Sequence, residues 1–295
     1  MLQKFKRLFL PLLIFGLLAA WAGLHFFAPY VILQPTRVDR VQIMERDARF
    51  VPERVISKEG HELIGYRRKV VKPRAVIILF HGVGSSKEVN EELSNLLAER
   101  LQIVSFAFDN RGQGQSEGEF VTFGYHEKED VCRIIDLAER RYPGLPIGLW
   151  GYSLGGAVAL QALAIDERPS FAVIESTFAR LDDTILAYLK RITGGFGYKW
   201  MTNYALKQSA KLAEFDPDAV QPAEAAKSIT IPVFLAHGDS DIHIVKSNGE
   251  TIFGNLASED KELMIVEGAD HSGVHHVGGE AFFERAFAFL ERLIN

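Results

Sequence analysis

The sequence has little cysteine, no internal repeats and no low-complexity tracts. A single cysteine, Cys132, in 295 residues excludes a disulfide framework, so the hydrophobic core has to stabilise the fold. The lack of a fixed period excludes solenoids and propellers. Because 47% of the residues are hydrophobic and 24% are charged, the composition also excludes a disordered chain. We therefore interpret the sequence as an ordinary globular protein.

Clusters of positive charge are also missing from most of the chain. Four of the 33 Lys and Arg residues precede residue 39, so residues 39–295 hold 29 basic residues against 38 acidic ones, a net charge of −9 with His neutral. Affinity for nucleic acids comes mainly from clustered cationic contacts to phosphate. We therefore expect no nucleic-acid partner.

One long hydrophobic run near the N-terminus is the exception to this composition. Residues 8–28 are almost wholly apolar, and about 20 apolar residues are enough to cross a hydrocarbon core as a helix. Two interpretations are open: an uncleaved transmembrane signal anchor, and a signal peptide cleaved at Ala20-Trp21-Ala22 that would leave a secreted protein. We favour the anchor because apolar residues continue as far as Leu33.

The charges beside this run predict its orientation. Lys4, Lys6 and Arg7 precede it, and basic residues tend to stay on the cytoplasmic side. We expect a single-pass protein whose catalytic domain lies outside the cytoplasm, in a periplasm or a lumen. The predicted segments are a cytoplasmic basic segment at 1–7, a transmembrane anchor at 8–28, a linker at 29–53 and one α/β domain at 54–295.

Strands and helical patterns alternate along this domain. Continuous apolar runs such as Ala75 to Phe80 are typical of parallel strands that are buried on both faces. The order predicts an α/β fold with a mostly parallel, eight-stranded sheet covered by helices on both faces. In such a sheet ligands bind at the carboxyl ends of the strands. The predicted strands are 54–57, 63–67, 75–80, 103–108, 146–150, 171–174, 231–236 and 262–266.

A Gly-x-Ser-x-Gly motif follows one of these strands. The strand that ends at Trp150 leads through Gly151-Tyr152-Ser153-Leu154-Gly155 into a helix. A nucleophile on such a sharp turn has a strained backbone, so its neighbours must be small. The helix N-terminus also favours developing negative charge. We therefore predict that Ser153 is the nucleophile of a serine hydrolase.

Two later strand ends supply an acid and a base. The strand at 231–236 runs into His237-Gly238-Asp239-Ser240-Asp241, and the strand at 262–266 runs into Glu267-Gly268-Ala269-Asp270-His271. A histidine can take the serine proton and return it to the leaving group, while a carboxylate fixes the imidazole tautomer. His271 is the predicted base. Asp239 and Asp241 are the candidate acids, and spacing favours Asp241.

At this point the sequence resembles the α/β-hydrolase superfamily over roughly residues 54–293. Within it, the chain is most similar to the serine-aminopeptidase-like and monoacylglycerol-lipase-like hydrolases. In similar proteins His-Gly-x-x-Asp carries the acid on its last residue, here Asp241, and Gly-x-x-His carries the base, here His271. One departure is Val245, where relatives often have Pro. The matching segments are His81-Gly82-Val83-Gly84, Asp109 to Ser116, Gly151 to Gly156, His237 to Asp241 and Gly268 to His271.

The resemblance implies an α/β-hydrolase fold with an oxyanion hole made of backbone N–H groups. These donors would belong to Val83 and Leu154 and would stabilise charge that appears in the transition state. We expect His81 to hold this loop through a structural hydrogen bond. Asp109 and Arg111 are expected to form an ion pair that ties down the following Gly-rich loop.

The segment before the strand at 231–236 is longer than one crossover helix requires, which predicts a small helical cap at about residues 177–228. Its aromatic residues surround a Gly-rich stretch that could act as a hinge. One interpretation is that they bind substrate, and the other is that they pack the cap onto the sheet. An apolar roof suits an ester or thioester with an acyl chain. The candidate substrate-binding residues are Phe196, Tyr198, Trp200 and Met201.

The leading hypothesis is a membrane-anchored serine hydrolase that cleaves carboxylic esters, lipid or acyl esters and thioesters included, through an acyl-Ser153 intermediate. A serine peptidase or an acyltransferase on the same triad is the alternative. A non-catalytic binding protein is a third hypothesis, against which the intact triad argues. We expect no cofactor. We also expect no metal, because His243, His275 and His276 are joined by no acid cluster at ligand spacing and are interpreted as solvated.

Overall fold

A computed structural model describes residues 2–34, 37 and 47–294 of the chain. Residues 35–36 and 38–46, which belong to the predicted linker, lie outside the described residues. Within the described part, the strands form one eight-stranded sheet in the order β1-β2-β4-β3-β5-β6-β7-β8. The strands are β1 (Phe50–Ile56), β2 (Glu62–Arg68), β3 (Ala75–Phe80), β4 (Ile103–Phe108), β5 (Ile147–Tyr152), β6 (Phe171–Glu175), β7 (Val233–Gly238) and β8 (Lys261–Val266).

Ten α-helices are found among the same residues. They are α1 (Leu2–Ala22), α2 (Ala28–Leu33), α3 (Glu91–Leu101), α4 (Glu127–Arg141), α5 (Leu154–Leu163), α6 (Leu181–Ile192), α7 (Lys199–Ala213), α8 (Pro222–Ala225), α9 (Ser247–Asn255) and α10 (Val274–Leu293). A π-helical turn, Gly23–Phe27, joins α1 to α2. Short 3-10 turns occur at Lys87–Asn90, Pro217–Ala219 and Ala226–Ser228.

The sheet is parallel except at one edge. β1 pairs with β2, and β2 with β4, in antiparallel register, while the remaining neighbours are parallel. Strands β3, β4, β6 and β7 are buried along their whole length. This burial explains their unbroken apolar runs, since helices cover them on both sides. The predicted fold, a mostly parallel eight-stranded α/β-hydrolase sheet, is confirmed.

Two hydrophobic layers hold the helices against the sheet. On one face α4, α5 and α9 contribute residues such as Ile135, Leu160 and Ile252. On the other face α3 and α10 contribute residues such as Leu97 and Phe289. The parallel strands are thereby sandwiched, so their carboxyl ends form a single edge on which loops can carry chemistry.

The ends of some elements differ from the prediction. β1 begins at Phe50 rather than at residue 54. The sequence pattern predicts the terminal helix over residues 279–293, whereas α10 begins at Val274. Gly279 has φ 49° and ψ −140°, so it kinks α10 without ending it. Glycine tolerates this conformation because it has no side chain to clash. The structure therefore has a bend at the residue where the sequence pattern predicts the start of the helix.

The N-terminal helical segment is longer than the predicted span. It continues through the π-helical turn and α2 as far as Leu33, five residues into the predicted linker. Leu33 is fully buried in a third hydrophobic cluster with Phe178, Leu206 and Phe215. The stretch Phe9–Leu33 is long and apolar enough to cross a membrane, with a mean hydropathy of 1.9 in its apolar window.

The cap lies between β6 and β7, as its predicted position at 177–228 required. It consists of α6 and α7, joined by a Gly-rich loop, followed by the short helix α8. Only Leu181 of α6 is buried, whereas α7 buries Thr202, Ala205, Leu206 and Ser209. The cap therefore attaches mainly through α7 and exposes most of α6.

Candidate active site

Ser153 lies on the sharp turn between β5 and α5. Its φ of 53° and ψ of −118° are strained values for a residue with a side chain. Neighbouring contacts maintain this conformation: the Ser153 N–H donates to the Glu175 carbonyl at 2.9 Å, and the Thr177 hydroxyl donates to the Ser153 carbonyl at 2.7 Å. The strain is therefore maintained by hydrogen bonds from β6 and the residues just after it.

The glycines of the motif allow the close packing that this turn requires. A Cβ on Gly151 would lie 2.2 Å from the carbonyl oxygen of Gly155, and a Cβ on Gly155 would lie 2.3 Å from that of Phe80. Both contacts are with backbone, which cannot move aside easily. Close packing alone therefore explains why the motif has glycine at positions 151 and 155.

Three side chains form a continuous hydrogen-bonded chain at the carboxyl edge of the sheet. The Ser153 Oγ lies 2.9 Å from His271 Nε2, and His271 Nδ1 lies 2.7 Å from an Asp241 carboxylate oxygen. Ser153 and Asp241 are buried, whereas the His271 side chain is 20% exposed. The three residues come from the loops after β5, β7 and β8, and this geometry is that of a nucleophile, a base and an orienting acid.

The electrostatics of Asp241 suit the orienting position. Burial opposes its ionisation, but the nearby His237 and hydrogen bonds with His271 and the Ile244 N–H outweigh burial and lower its pKa to about 2. The second oxygen of the carboxylate accepts N–H groups from His243 at 2.8 Å and Ile244 at 2.9 Å. Asp241 is therefore held as an anion against the Nδ1 side of the imidazole ring.

Asp239, the other candidate acid, has a different position. Its side chain is exposed, and it accepts the Gly268 N–H at 2.7 Å. This bond joins the loop after β7 to the loop after β8, which carries His271. Of the two acids, the structure brings only Asp241 to the imidazole.

The predicted oxyanion donors lie at the start of α5 and on the loop after β3. Leu154 is the first residue of α5, so its N–H has no carbonyl one turn earlier within that helix. Val83 lies in the facing loop and is 54% exposed. The loop is fixed next to Val83, where the Gly84 N–H donates to the Gln113 side-chain oxygen at 2.6 Å.

His81 has structural hydrogen bonds on both ring nitrogens. Its Nε2 accepts the Asn110 N–H at 3.1 Å, so Nδ1 carries the proton and donates to the Gly82 carbonyl at 2.8 Å. Burial lowers the pKa of His81, which keeps the ring neutral. The geometry agrees with the expected role of holding the loop.

The prediction of an ion pair between Asp109 and Arg111 is wrong. Asp109 instead binds the fully buried Lys87, whose ammonium lies 2.8 Å from the carboxylate. Arg111 turns away and pairs with Asp130 at 2.7 Å. Arg111 lies where the chain turns after β4, so each residue finds a partner on another element. Both pairs are nevertheless structural, as expected.

One buried carboxylate near the nucleophile was not predicted from the sequence. Glu175, at the end of β6, is 1% exposed and accepts hydrogen bonds from the Trp150 indole and from His275 Nε2, the latter at 2.8 Å. His275 keeps 38% of its side chain exposed, but its ring is paired with Glu175 rather than fully solvated. Burial lowers the pKa of His275, but the charge of Glu175 outweighs burial and raises it above the ordinary value. No sequence motif marks this pair, because its members are 100 positions apart.

The predicted substrate-binding residues lie at the surface of the cap. Phe196, Tyr198 and Trp200 are 75%, 62% and 66% exposed, and Met201 is partly buried. The interpretation that these aromatic side chains pack the cap onto the sheet does not fit this exposure. Their contact with substrate stays a prediction. The cap reaches the triad by another route, because Arg191 of α6 contacts the ring of His243, which lies 5.5 Å from the ring of His271.

Comparison with known proteins identifies the family. The model of the family described as serine aminopeptidase, S33 (Hydrolase_4) matches residues 71–223. Human monoglyceride lipase is 31% identical over 252 residues, which cover 74% of this chain and 82% of the lipase. The match to the family model includes Ser153 but ends before Asp241 and His271, whose positions rest on the geometry above.

Two solved structures share the fold. The Pyrococcus furiosus esterase Pf2001 is 22% identical with a TM-score of 0.72, covering 89% of this chain and 100% of the esterase. A structure described as a membrane phospholipase A is 19% identical with a TM-score of 0.62, covering 98% of this chain and 99% of that one. At these identities the likeness shows the fold alone.

The sheet order and the residues at its carboxyl edge define an α/β-hydrolase. The chain belongs to the serine aminopeptidase S33 family of this superfamily. It is a hydrolase of the esterase and lipase type.

Proposed function

We propose that the chain hydrolyses carboxylic esters through an acyl-Ser153 intermediate. The observation that carries the proposal is the chain of contacts from Ser153 Oγ through His271 to Asp241, at 2.9 Å and 2.7 Å. As Oγ attacks the carbonyl carbon of the ester, His271 Nε2 takes the hydroxyl proton. The tetrahedral intermediate then expels the alcohol, which leaves with the proton from His271.

Water completes the cycle. A water molecule gives a proton to His271 while its oxygen attacks the acyl carbon, and Ser153 then leaves with that proton as the carboxylic acid departs. Asp241 stays ionised and stabilises the imidazolium at both stages. The proposed donors to the oxyanion are the N–H groups of Val83, on the loop after β3, and of Leu154, at the start of α5.

The proposed substrates are esters with an acyl chain, lipid esters included. The likeness to human monoglyceride lipase supports this class, and so does a cap that exposes aromatic side chains and contacts His243 beside the triad. The family description, serine aminopeptidase, favours peptide substrates as a second candidate. Both reactions use the same nucleophile, so only a comparison of substrates separates them.

We also propose that the N-terminal helix is an uncleaved membrane anchor with the catalytic domain on the far side. Its length and mean hydropathy support the span, and the basic residues at positions 4, 6 and 7 support the orientation. The same helix would serve as a signal sequence if it were cleaved. An anchor would keep the enzyme beside lipid substrates.

The test is to replace the nucleophile in the full chain. Ser153→Ala should lower ester hydrolysis by about 10⁶-fold and abolish labelling by a fluorophosphonate probe, because the triad acts as a unit. Ser240→Ala, which changes an exposed serine on the loop after β7, is the matched control and should retain both. Wild-type turnover by folded Ser153→Ala protein would contradict the assignment. A panel of monoacylglycerols, short esters, thioesters and aminoacyl amides then decides between lipase and peptidase.

A further inference from the structure

The end of the N-terminal helix is packed against the cap. His25 Nδ1 lies 2.6 Å from the hydroxyl of Tyr204 on α7, and Leu33 is fully buried against Leu206 and its neighbours. The carbonyl of Leu33 also accepts the N–H of Val121 at 2.8 Å. In contrast, residues 9–21 are exposed on every face. The helix therefore joins the catalytic domain through its own last turns, which we call the docked segment (residues 22–33).

The position of these contacts along the helix sets the height of the cap above the bilayer. A hydrocarbon core of about 30 Å takes about 20 helical residues at about 1.5 Å each. A span that begins at Leu8 thus ends near Phe27, so His25 and Tyr204 lie at the far boundary of the hydrocarbon. Trp200 precedes Tyr204 by one turn on the same face of α7. The start of α7 therefore lies within about one helical turn, about 5 Å, of that boundary.

The part of the cap at this level exposes apolar and aromatic side chains. Tyr and Trp are enriched at membrane interfaces because their rings have both apolar and polar edges. We call this surface the cap tip. Its members are between 49% and 75% exposed: Tyr188, Ile192, Phe196, Tyr198 and Trp200.

Helices α6 and α7 of the cap carry basic residues, in a domain that is otherwise acidic. Residues 184–213 contain five Lys and Arg and no Asp or Glu, whereas residues 39–295 as a whole have a net charge of −9. Lys199 pairs with Asp182 and Asp183, each at 3.1 Å. Basic residues beside an anionic bilayer strengthen binding by about fivefold each. Lys190, Arg191 and Lys199 lie among the residues of the cap tip, and Lys207 and Lys211 lie farther along α7.

We propose that the cap tip rests in the headgroup layer of the membrane that the chain's own anchor crosses, and that its partner there is anionic phospholipid. The proposal rests on the membrane insertion proposed above. The continuity of the docked segment with α7 fixes the tip beside the bilayer, and the aromatic and basic residues match its chemistry. Because Arg191 contacts His243 beside His271, the surface that meets the lipid adjoins the catalytic histidine.

Tryptophan fluorescence tests the depth of the tip. The chain has three Trp: Trp21 in the helix, Trp150 in the core at 2% exposure, and Trp200 in the tip. Full-length Trp21→Phe protein is reconstituted into vesicles of phosphatidylcholine and phosphatidylglycerol that contain brominated lipid. Bromines near the headgroups should quench Trp200 more than bromines near the bilayer centre. The double variant Trp21→Phe/Trp200→Phe should lose this quenching.

Matched lysine variants test the choice of lipid. Lys190→Gln/Lys207→Gln should lower the quenching of Trp200 in vesicles with phosphatidylglycerol, by weakening tip binding about fivefold per lysine. Lys69→Gln/Lys72→Gln is the control, since these exposed lysines follow β2, which three strands separate from β6 and the cap that follows it. Both pairs should hydrolyse a water-soluble ester at the wild-type rate.

The outcomes separate this proposal from the proposed function. The proposal would be overturned if the protein stayed in the carbonate pellet but no brominated lipid quenched Trp200. It would also be overturned if cross-linking showed that a second copy of the chain covers Trp200. Equal quenching with and without phosphatidylglycerol would overturn the choice of anionic lipid. Loss of the protein from the carbonate pellet would instead contradict the anchor. Quenching involves no substrate, so a failure of ester hydrolysis would leave these results unchanged.

Discussion

At the scale of single residues, Asp239 and Asp241 are separated by two positions but have different partners. Asp241 binds His271 Nδ1, and Asp239 binds the Gly268 N–H. Asp241→Asn should lower kcat by about 10⁴-fold, because an amide no longer fixes the productive imidazole tautomer. Asp239→Asn should cost far less, since it weakens only a loop contact. Steady-state kinetics of both folded variants check the difference, and equal losses would show that the carboxylate facing His271 has been misassigned.

The Glu175 and His275 pair gives the stability of the protein a pH dependence. The pKa of His275 is raised in the folded state, so its stabilising contribution is complete below the ordinary pKa of about 6.5 and is lost as the pH rises through the higher folded value. Glu92 adds to the field of Glu175, and rings of Trp150, Phe282 and Phe283 surround the imidazole.

Removing the charge of Glu175 should therefore remove this pH dependence. Glu175→Gln is expected to flatten the decrease in Tm of the wild-type protein between about pH 6 and about pH 9. The measurement is thermal denaturation of the full chain in detergent across that range. Parallel curves for the two proteins would show that the ion pair contributes nothing. Asp241, in contrast, contributes stability that is lost only as the pH falls from about 4 towards 2.

The residues of the candidate site differ in how well the sequence predicts them. Ser153, Asp241 and His271 follow strand ends in an order that the motifs reveal, and the structure brings them within hydrogen-bonding distance. Their catalytic roles stay predictions until the variants are measured. No motif marks Lys87 or Glu175. Each binds a partner that is distant in the sequence, 22 positions away for Lys87 and 100 positions away for Glu175.

At the scale of elements, buried strands were easier to predict than helix ends. An unbroken apolar run such as that of β3 follows from burial on both faces, so it marks a strand directly. The bend of α10 at Gly279 and the extension of the N-terminal helix to Leu33 depend on packing against other elements. Periodicity in a single segment carries no information about such neighbours.

The docked segment offers a matched pair of substitutions within one short helix. Leu33→Ala should lower the free energy of unfolding by about 2 to 5 kcal/mol, because Leu33 is fully buried and its loss leaves a cavity. Val31→Ala changes a side chain that is 52% exposed and should alter stability by at most about 0.5 kcal/mol. Thermal denaturation of the full chain in detergent compares them. An equal effect of the two substitutions would mean that α2 is not packed on the domain in solution.

At the scale of the whole molecule, the prediction concerns topology. The basic residues at positions 4, 6 and 7 should stay in the cytoplasm while the catalytic domain lies across the membrane. In sealed right-side-out vesicles, protease should digest the domain, and the N-terminal sequence of the untreated protein in the carbonate pellet should begin at its first residues. Protection of the domain would reverse the orientation. A soluble mature chain that begins near Gly23 would show cleavage instead.

The boundary at Ala22 has a further consequence for release of the enzyme. The contacts described above involve residues from His25 to Leu33, and residues 9–21 are exposed on every face. A protease that cut the chain at this boundary would shed a unit that keeps Leu33 in its cluster and His25 beside Tyr204. Membrane-bound and shed forms would then share one folded catalytic unit and would differ in where they can diffuse.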